Sequence, residues 1–558
     1  MYIKNMFIKD MFGKKMLVLA SLLLMCVSVM ATVKPRRGKP VVIEQVAADS
    51  VEEQTDHVAL RRIGSQSSAP LKAFGSPKVP VILVQFANKK FISGLGTKTD
   101  TLGHQVPNEC LTEEDAQKVN ALFDKFCNGD GESDYYKGLD SYGSIREYFR
   151  DQSFGQFTPE FVVIGPVTLD SVYEYYGKHV GNTVKDANLS AFYEHTLKKA
   201  QARYSEWSQF DNDNNGSVDM VFLLFAGEGE NGSDDENTIW PHEMPSGGTI
   251  NRVKYGCYAA CNEVYNGTID GIGVFVHELS HALGLPDFYD NNYVAYGMDY
   301  WDLMDSGNYC NSGYTPCNYT AYERDFMGWK DIVTLQQGVR QELTLTPVAD
   351  GGVAYKIVNP ANANEYYIIE NRQSSGWDSY FGNGTERTKM HGLLVNHVDY
   401  NQRVWSQNYS INADPKRQRM TIIPADGDSY TYVVVDSQEK YTAYLNSALG
   451  DLFPGSGKVT ALTGEQAYVY TATGETPHQM NQPLTDIVEH ENGTITLTFC
   501  GDDVTAIASL FANTEEQVPV YNMAGLVVGY TDIEYGKPVQ LPAAAGVYIV
   551  KGKKYIKN

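Results

Sequence analysis

The stretch VHELSHALGLPDFYD, Val276 to Asp290, constrains the fold more than any other part of this chain. Residues four apart on an α-helix lie one turn above each other, so His277 and His281 aim two imidazoles at a common point only if the segment is helical. The preceding DGIGVFV offers Asp270 as an N-cap and apolar residues for the buried side. Gly284 is where the helix should stop, because glycine adopts the left-handed conformation that turns a chain back, and Pro286 opposes continuation. That turn brings Asp287 to the point the two histidines address. A helix running on would carry it away.

Two neutral imidazoles and one carboxylate leave one position open on a tetrahedral zinc ion, as a catalytic site requires and a structural one does not. Glu278, beside His277, is then expected to take a proton from a water at that position and pass it to a leaving amine. WDLMDSG places Met304 seventeen residues beyond Asp287, just before a glycine-containing turn. HExxHxxG followed by such a methionine is the metzincin arrangement, in which a Met-turn floors the metal site by packing. Glu323, in AYERDFMGW, competes with Asp287 for the third ligand position, since other HExxH enzymes recruit a glutamate from a later helix. Delivery within six residues of His281 favours Asp287.

The balance of 45 Lys+Arg against 68 Asp+Glu gives a formal net charge of -23, which repels nucleic-acid backbones and anionic lipid surfaces. Lys14 and Lys15 precede an apolar run from Met16 to Val29, and Val29 and Ala31 supply small residues for cleavage, so residues 1–31 read as a signal peptide. No second such run follows, so the mature chain is expected to carry no transmembrane anchor, and the protein to be secreted or held at the cell surface. Seven of the eight cysteines lie beyond that cut. The simplest pairs are Cys110 with Cys127, Cys257 with Cys261 and Cys310 with Cys317, and free buried cysteines are the alternative.

Residues 32–75 are polar, with Pro, Ser and charge but no sustained apolar period, as in a pro-segment or linker. A peptidase domain over 76–330 starts with the buried strand in KVPVILVQFAN and continues through alternating helices and strands, including SIREYFRDQSFGQF and VDMVFLLFAG. From 331 to 500 short runs such as EYYIIENR and GLLVNHVD, broken by Gly, Asn and Asp, predict a β-sandwich. Residues 501–558 predict a small β-module. The expected fold class is thus an α/β (α+β) metzincin-like zinc peptidase followed by two all-β parts.

At these residues the chain resembles the immune inhibitor A-like metallopeptidases, whose motif is HExxHxxGxxD with aspartate as third zinc ligand; it stands here as His277, Glu278, His281, Gly284 and Asp287. The likeness runs from PVILVQF through IWPHE, DLMDSG and YYIIENRQSSGWD to DLFPG, about residues 77–500. It implies a secreted zinc endopeptidase made as a zymogen and acting on host or environmental proteins. The end of the chain, YNMAG and LPAAAGVYIVKGKKYIKN, resembles the β-sandwich sorting signal of type IX secretion, which implies a secretion machinery as partner; a plain terminal β-module is the other reading.

In DNDNNGSVD, Asp211, Asp213, Asn215 and Asp219 take the first, third, fifth and ninth positions of an EF-hand-like calcium loop, with Gly216 sixth. Position twelve is Phe222 rather than glutamate, so an Asn/Asp/Gly hairpin turn is an equal reading. His242, His391 and His397 read as structural histidines. The rival to a peptidase is a surface adhesin whose β-domains bind while the zinc fold serves as scaffold, and an intact Glu278 argues against it.

Overall fold

A run as apolar as PVILV needs cover on both faces. The computed structural model describes residues 69–130, 141–181, 185–245, 247–290, 295–381, 390–405, 411–428, 437–470, 477–500, 516–522, 527–533, 546–550 and 553–557. In it this run belongs to β1 (Lys78–Gln85), which pairs in parallel with β2 (Glu160–Thr168) on one side and β3 (Val218–Glu228) on the other. β4 (His242–Met244) pairs antiparallel, and β3 parallel, with β5 (Val253–Tyr265), giving the order β2-β1-β3-β5-β4.

Side chains alternate across a strand, so these central strands feed two cores. Val81 and Leu83 enter one, Ile82 and Val84 the other; Phe222 and Leu224 split from Leu223 and Phe225 in the same way. The first core is closed by α1 (Glu113–Asn128), α2 (Ile145–Gln152) and α4 (Gly273–Ala282), through Phe123, Phe149 and Phe275 among others. The second is closed by α3 (Leu189–Arg203), through Phe192 and Leu197. The sequence SIRE makes a capping box at the start of α2: Glu147 N donates to Ser144 Oγ at 3.1 Å, and Ser144 N donates to the Glu147 carboxylate at 3.0 Å. Each fully buried Val, Leu, Ile or Phe contributes roughly 1.5–3 kcal/mol over an exposed one, so β1 and β3, which feed both cores, form a firm centre to the sheet.

Past residue 330 the chain builds a five-stranded sheet, ordered Val333–Thr334, Tyr355–Asn359, Asn362–Arg372, Gly392–Asp399, Met420–Ile422, and a three-stranded one, ordered Gln341–Leu345, Ile495–Phe499, Leu484–Glu489. Tyr367 and Ile369 pack into a cluster shared with the three-stranded sheet, while their neighbours Tyr366 and Ile368 enter the core that holds α4. The packing is therefore continuous across residue 330, where the sequence texture changes. Buried Arg372 reinforces the seam: it donates to both oxygens of Asp378 at 2.8 Å, to Glu370 at 3.0 Å, and to the carbonyls of Trp301 and Asn318 at 3.2 Å. Strands at Glu516–Asn522, Val527–Ile533, Gly546–Val550 and Lys553–Lys557 make a separate four-stranded sheet.

Three expectations need correction. The boundary after residue 75 falls inside packed chain: Leu71 and Ala73 are fully buried, Leu71 N donates to Ala282 O at 3.1 Å and Gly75 N to Gln156 O at 2.8 Å. Too few apolar residues lie there to mark a period in the sequence. All seven described cysteines are free and buried. Cys257 and Cys261 in particular are four positions apart along one strand, about 13 Å at 3.3 Å per residue, well beyond disulfide reach. Asp270 does not cap α4, whose N-cap is Ile272 without a side-chain cap; Asp270 instead accepts from Asn262 Nδ2 at 2.9 Å and from Gly271 N at 2.8 Å. The signal peptide expected at 1–31 lies outside the described residues.

Candidate metal centre

Every residue of α4 is buried, and the reason lies at both of its ends. At the start, a Cβ on Gly273 would lie 1.7 Å from Asn308 O and one on Gly271 2.1 Å from Gly313 C, so only glycine lets the 306–313 segment close over the helix. At the end, Gly284 has φ +103°. Leu285 N donates to Ser280 O at 3.1 Å and Gly284 N to His281 O at 2.8 Å, the two bonds of a Schellman motif. The chain thereby reverses, and Asp287 returns to the helix face that carries the histidines.

Asp287 Oδ1 lies 3.2 Å from His277 Nε2 and 3.2 Å from His281 Nε2. These are not ordinary hydrogen bonds. His277 Nδ1 is 2.9 Å from Leu303 O and His281 Nδ1 is 2.8 Å from Leu285 O. A carbonyl can only accept, so each Nδ1 carries a proton, and in the neutral ring Nε2 then presents a lone pair. Three lone pairs thus converge on one buried point. His277 Nε2, His281 Nε2 and both oxygens of Asp287 lack a hydrogen-bond partner within the protein, as do both oxygens of Glu278. A cluster of such atoms is costly unless a cation fills it. Ligands held at about 2.0–2.1 Å on a tetrahedral zinc stand about 3.3 Å apart, close to the separation observed. The donor set fits zinc.

Charge supports the same fit. Burial opposes ionisation of Asp287, yet the neighbouring His281 and His277 hold it below the ordinary carboxylate value. Burial holds the His277 imidazole below its usual value, toward the neutral form a ligand needs. Burial pushes the Glu278 carboxyl well above its usual range, and the Asp287 and Glu243 carboxylates add to this.

Met304 is fully buried, and its turn acts through backbone as well as packing. Leu303 O fixes the ring of His277, and Met304 O accepts from Phe288 N at 2.9 Å, next to Asp287. Glu323 is not brought to this point. It sits at the third position of α5 (Ala321–Met327), where its carboxylate accepts from Thr320 N at 2.7 Å in a capping box. His242 is satisfied by Trp240 O at 2.7 Å and by the Tyr258 hydroxyl at 3.3 Å, and burial lowers it to about 4. His391 lies 2.6 Å from a Glu489 carboxylate oxygen and His397 2.9 Å from one of Glu365. The residue that sequence reasoning missed is Glu243. Its register partner Ala259 belongs to the core beneath α4, whereas Ala260, opposite His242, belongs to the other core. Burial raises Glu243 to about 7, with His281 and Asp287 the charges it feels most.

In the DNDNNGSVD loop, one carboxylate oxygen each of Asp211, Asp213 and Asp219 lie within 4.8 Å of one another. The loop is also a turn. Asp211 accepts from Asn215 N and Gly216 N, both at 2.9 Å, and Asn215 Oδ1 accepts from Ser217 N at 2.9 Å. Asp219 accepts from Asn212 with one oxygen; its other oxygen, Oδ1, is buried without a protein partner. Phe222 stacks on Phe275 with ring centroids 3.5 Å apart, so the twelfth position contributes to the core.

Comparison with known proteins agrees with this geometry. Residues 72–331 match the immune inhibitor A peptidase M6 catalytic domain. They are a metallopeptidase domain. The chain is similar to immune inhibitor A of Bacillus thuringiensis subsp. alesti, 26% identical over 297 residues, 46% of this chain and 41% of that protein. It is also similar to the pre-pro-metalloprotease PrtV of Vibrio cholerae serotype O1 (strain M66-2), 25% identical over 218 residues, 34% of this chain and 24% of that protein. The chain thus spans less than half the length of these curated relatives. Among the described residues, no helix is long and apolar enough to cross a membrane.

Proposed function

We propose that this protein is a secreted zinc endopeptidase that hydrolyses peptide bonds of extracellular or host proteins, with His277, His281 and Asp287 as zinc ligands and Glu278 as general base. The observation that carries this reading is the convergence of three unpartnered, buried donor atoms beside a buried carboxylate with both oxygens free of protein partners. Bound zinc would polarise the substrate carbonyl and ease deprotonation of a water. Glu278 accepts that water's proton and returns it to the leaving amine, and burial, by raising its proton affinity, suits it to both halves of the transfer. The Leu303 and Leu285 carbonyls hold the two imidazoles in the tautomer that presents Nε2. β4 is the terminal strand of its sheet among the described residues, and an extended peptide can pair along it.

The same reading takes residues 1–31 as a signal peptide and the polar segment after them as a pro-segment, for which the printed name of the pre-pro-metalloprotease relative offers support. It takes the tail from 501 as the sorting module, and the Asp211 loop, with Asn215, as a calcium site. The test is Glu278→Gln. This variant should keep zinc, because Glu278 is not a ligand, while casein hydrolysis falls by about 10²–10⁴-fold. Comparable hydrolysis by the variant would overturn the mechanism.

A further inference from the structure

We propose that His179, Asp186 and Glu230 form a second cation site, of the zinc class, that fastens the connection before α3 to the loop leading to the edge strand β4. The three residues come from two separate segments of the chain. His179 follows the short helix Tyr173–Gly177, Asp186 precedes α3, and Glu230 opens the turn after β3. One ligand atom of each lies within 4.8 Å of the others.

His179 Nε2 is 3.0 Å from Glu230 Oε2, and both side chains are about nine-tenths buried, 11% and 10% exposed. A histidine–glutamate pair would by itself be unremarkable. Asp186 is what the pair does not explain. It is 6% exposed, its Oδ2 accepts from Trp240 N at 3.2 Å, and its Oδ1 is buried without a protein partner. Two buried carboxylates face one imidazole. Among the flanking charges, Lys185, its ammonium 5.0 Å over the Trp240 ring, acts on both Asp186 and Glu230, while Glu236 adds a third negative charge beside Glu230. The set is short of positive charge, and a divalent ion supplies it.

The backbone is already arranged for such a site. A Cβ on Gly177 would lie 2.5 Å from Thr238 C, so glycine is required for the two loops to approach this closely. His179 N donates to Glu236 O at 2.9 Å, and Glu230 N to Ile239 O at 3.1 Å. An imidazole with two carboxylates suits zinc, whereas calcium prefers an all-oxygen shell. The consequence reaches the cleft: Asp186 holds Trp240, and two residues later the chain enters β4, whose Glu243 lies on the α4 side of the sheet. An ion here would fix that edge strand relative to α4 without taking part in the chemistry.

The test uses the full chain carrying Glu278→Gln, which suppresses self-cleavage, stripped of metal and titrated with zinc in millimolar calcium. Zinc per chain is then measured by elemental analysis after gel filtration. The parent should hold two equivalents, the Asp186→Asn/Glu230→Gln variant one, and Asp287→Ala one. A parent that holds a single equivalent, lost in Asp287→Ala, would overturn the inference and leave the peptidase centre intact. Two equivalents retained in Asp186→Asn/Glu230→Gln would overturn it too. Two equivalents retained in Asp287→Ala would instead count against the proposed catalytic ligands. Should the double variant fold poorly by near-ultraviolet circular dichroism, Asp186→Asn alone decides, through at least tenfold weaker binding of the second equivalent; unchanged affinity refutes the site.

Discussion

Arg372 tests whether the peptidase part and the sheets beyond residue 330 unfold together. Its guanidinium is fully buried and serves two carboxylates and two carbonyls, from Glu370, Asp378, Trp301 and Asn318. Arg372→Met keeps much of the stem but strands Glu370 and Asp378. Burial already raises Glu370 despite the guanidinium beside it, so the loss falls on groups with no access to water. Removing one partner of a buried ion pair costs about 3–5 kcal/mol. With about 2.1 cal/mol/K of unfolding entropy per residue, a cooperative unit of roughly 400 residues loses about 1 °C per 0.8 kcal/mol, so Tm should fall by about 4–6 °C. Calorimetry of the full chain, in the Glu278→Gln background, should show this main transition moving as a whole. Asp378→Asn added to Arg372→Met should recover part of the loss by removing one stranded charge. Two separated transitions, of which only one moves, would refute the continuous core; so would a shift below about 1 °C.

Asp287→Ala should lose one zinc equivalent and activity together, while Glu323→Gln should leave zinc occupancy unchanged because Glu323 caps α5; elemental analysis of both variants checks this. Calcium added to the zinc-loaded chain should raise its Tm through binding to the native state, and Asp213→Ala should abolish the rise; equal shifts in both proteins would leave only the turn. The His391–Glu489 contact should give a small pH dependence. The hydrogen bond to Glu489 raises His391, so its contribution is full below the unfolded value near 6.5 and is lost as pH rises through the folded value. Burial would raise Glu489, but the bonds from His391 and Gln373 hold it below 4.5, so its contribution persists above that value and is lost only as pH falls through the folded one. His391→Gln should therefore cost more at pH 5.5 than at pH 8.5 in denaturant titrations. Because His391 is 37% exposed, the difference should stay below about 1 kcal/mol.

What the sequence disclosed follows from where the information sits in the chain. The α4 helix and its turn were legible because every element of the argument lies within eleven residues, His277 to Asp287, and the glycine and proline there have few other uses. The central strands were legible because a fully apolar run can only be buried on both faces. The shared core was not. In YYIIENR, strand alternation sends Tyr366 and Ile368 one way and Tyr367 and Ile369 the other, and nothing in the run says that the two sides meet different parts of the chain. The packing of Leu71 and Ala73 was illegible for a related reason, since two apolar residues show no period and their partners, Ala282 O for Leu71 N and Trp329 Nε1 for Ala73 O, lie more than 200 residues away.

Glu243 shows most clearly where pattern gives way to register. His242 and Glu243 are adjacent in IWPHE, and one of them must face α4 if the segment is a strand. Which one does so depends on whether Ala259 or Ala260 of β5 lies opposite, a register the run itself does not reveal, so reading His242 as structural carries no pointer to Glu243. The same holds more strongly for His179, Asp186 and Glu230. Glu230 lies 44 residues beyond Asp186, and His179 and Asp186 stand in a connection rather than on a helix or strand, so only the tertiary fold can bring them together. A reader of the sequence can therefore expect to find sites carried by one element and its turn, and to miss those assembled from distant loops.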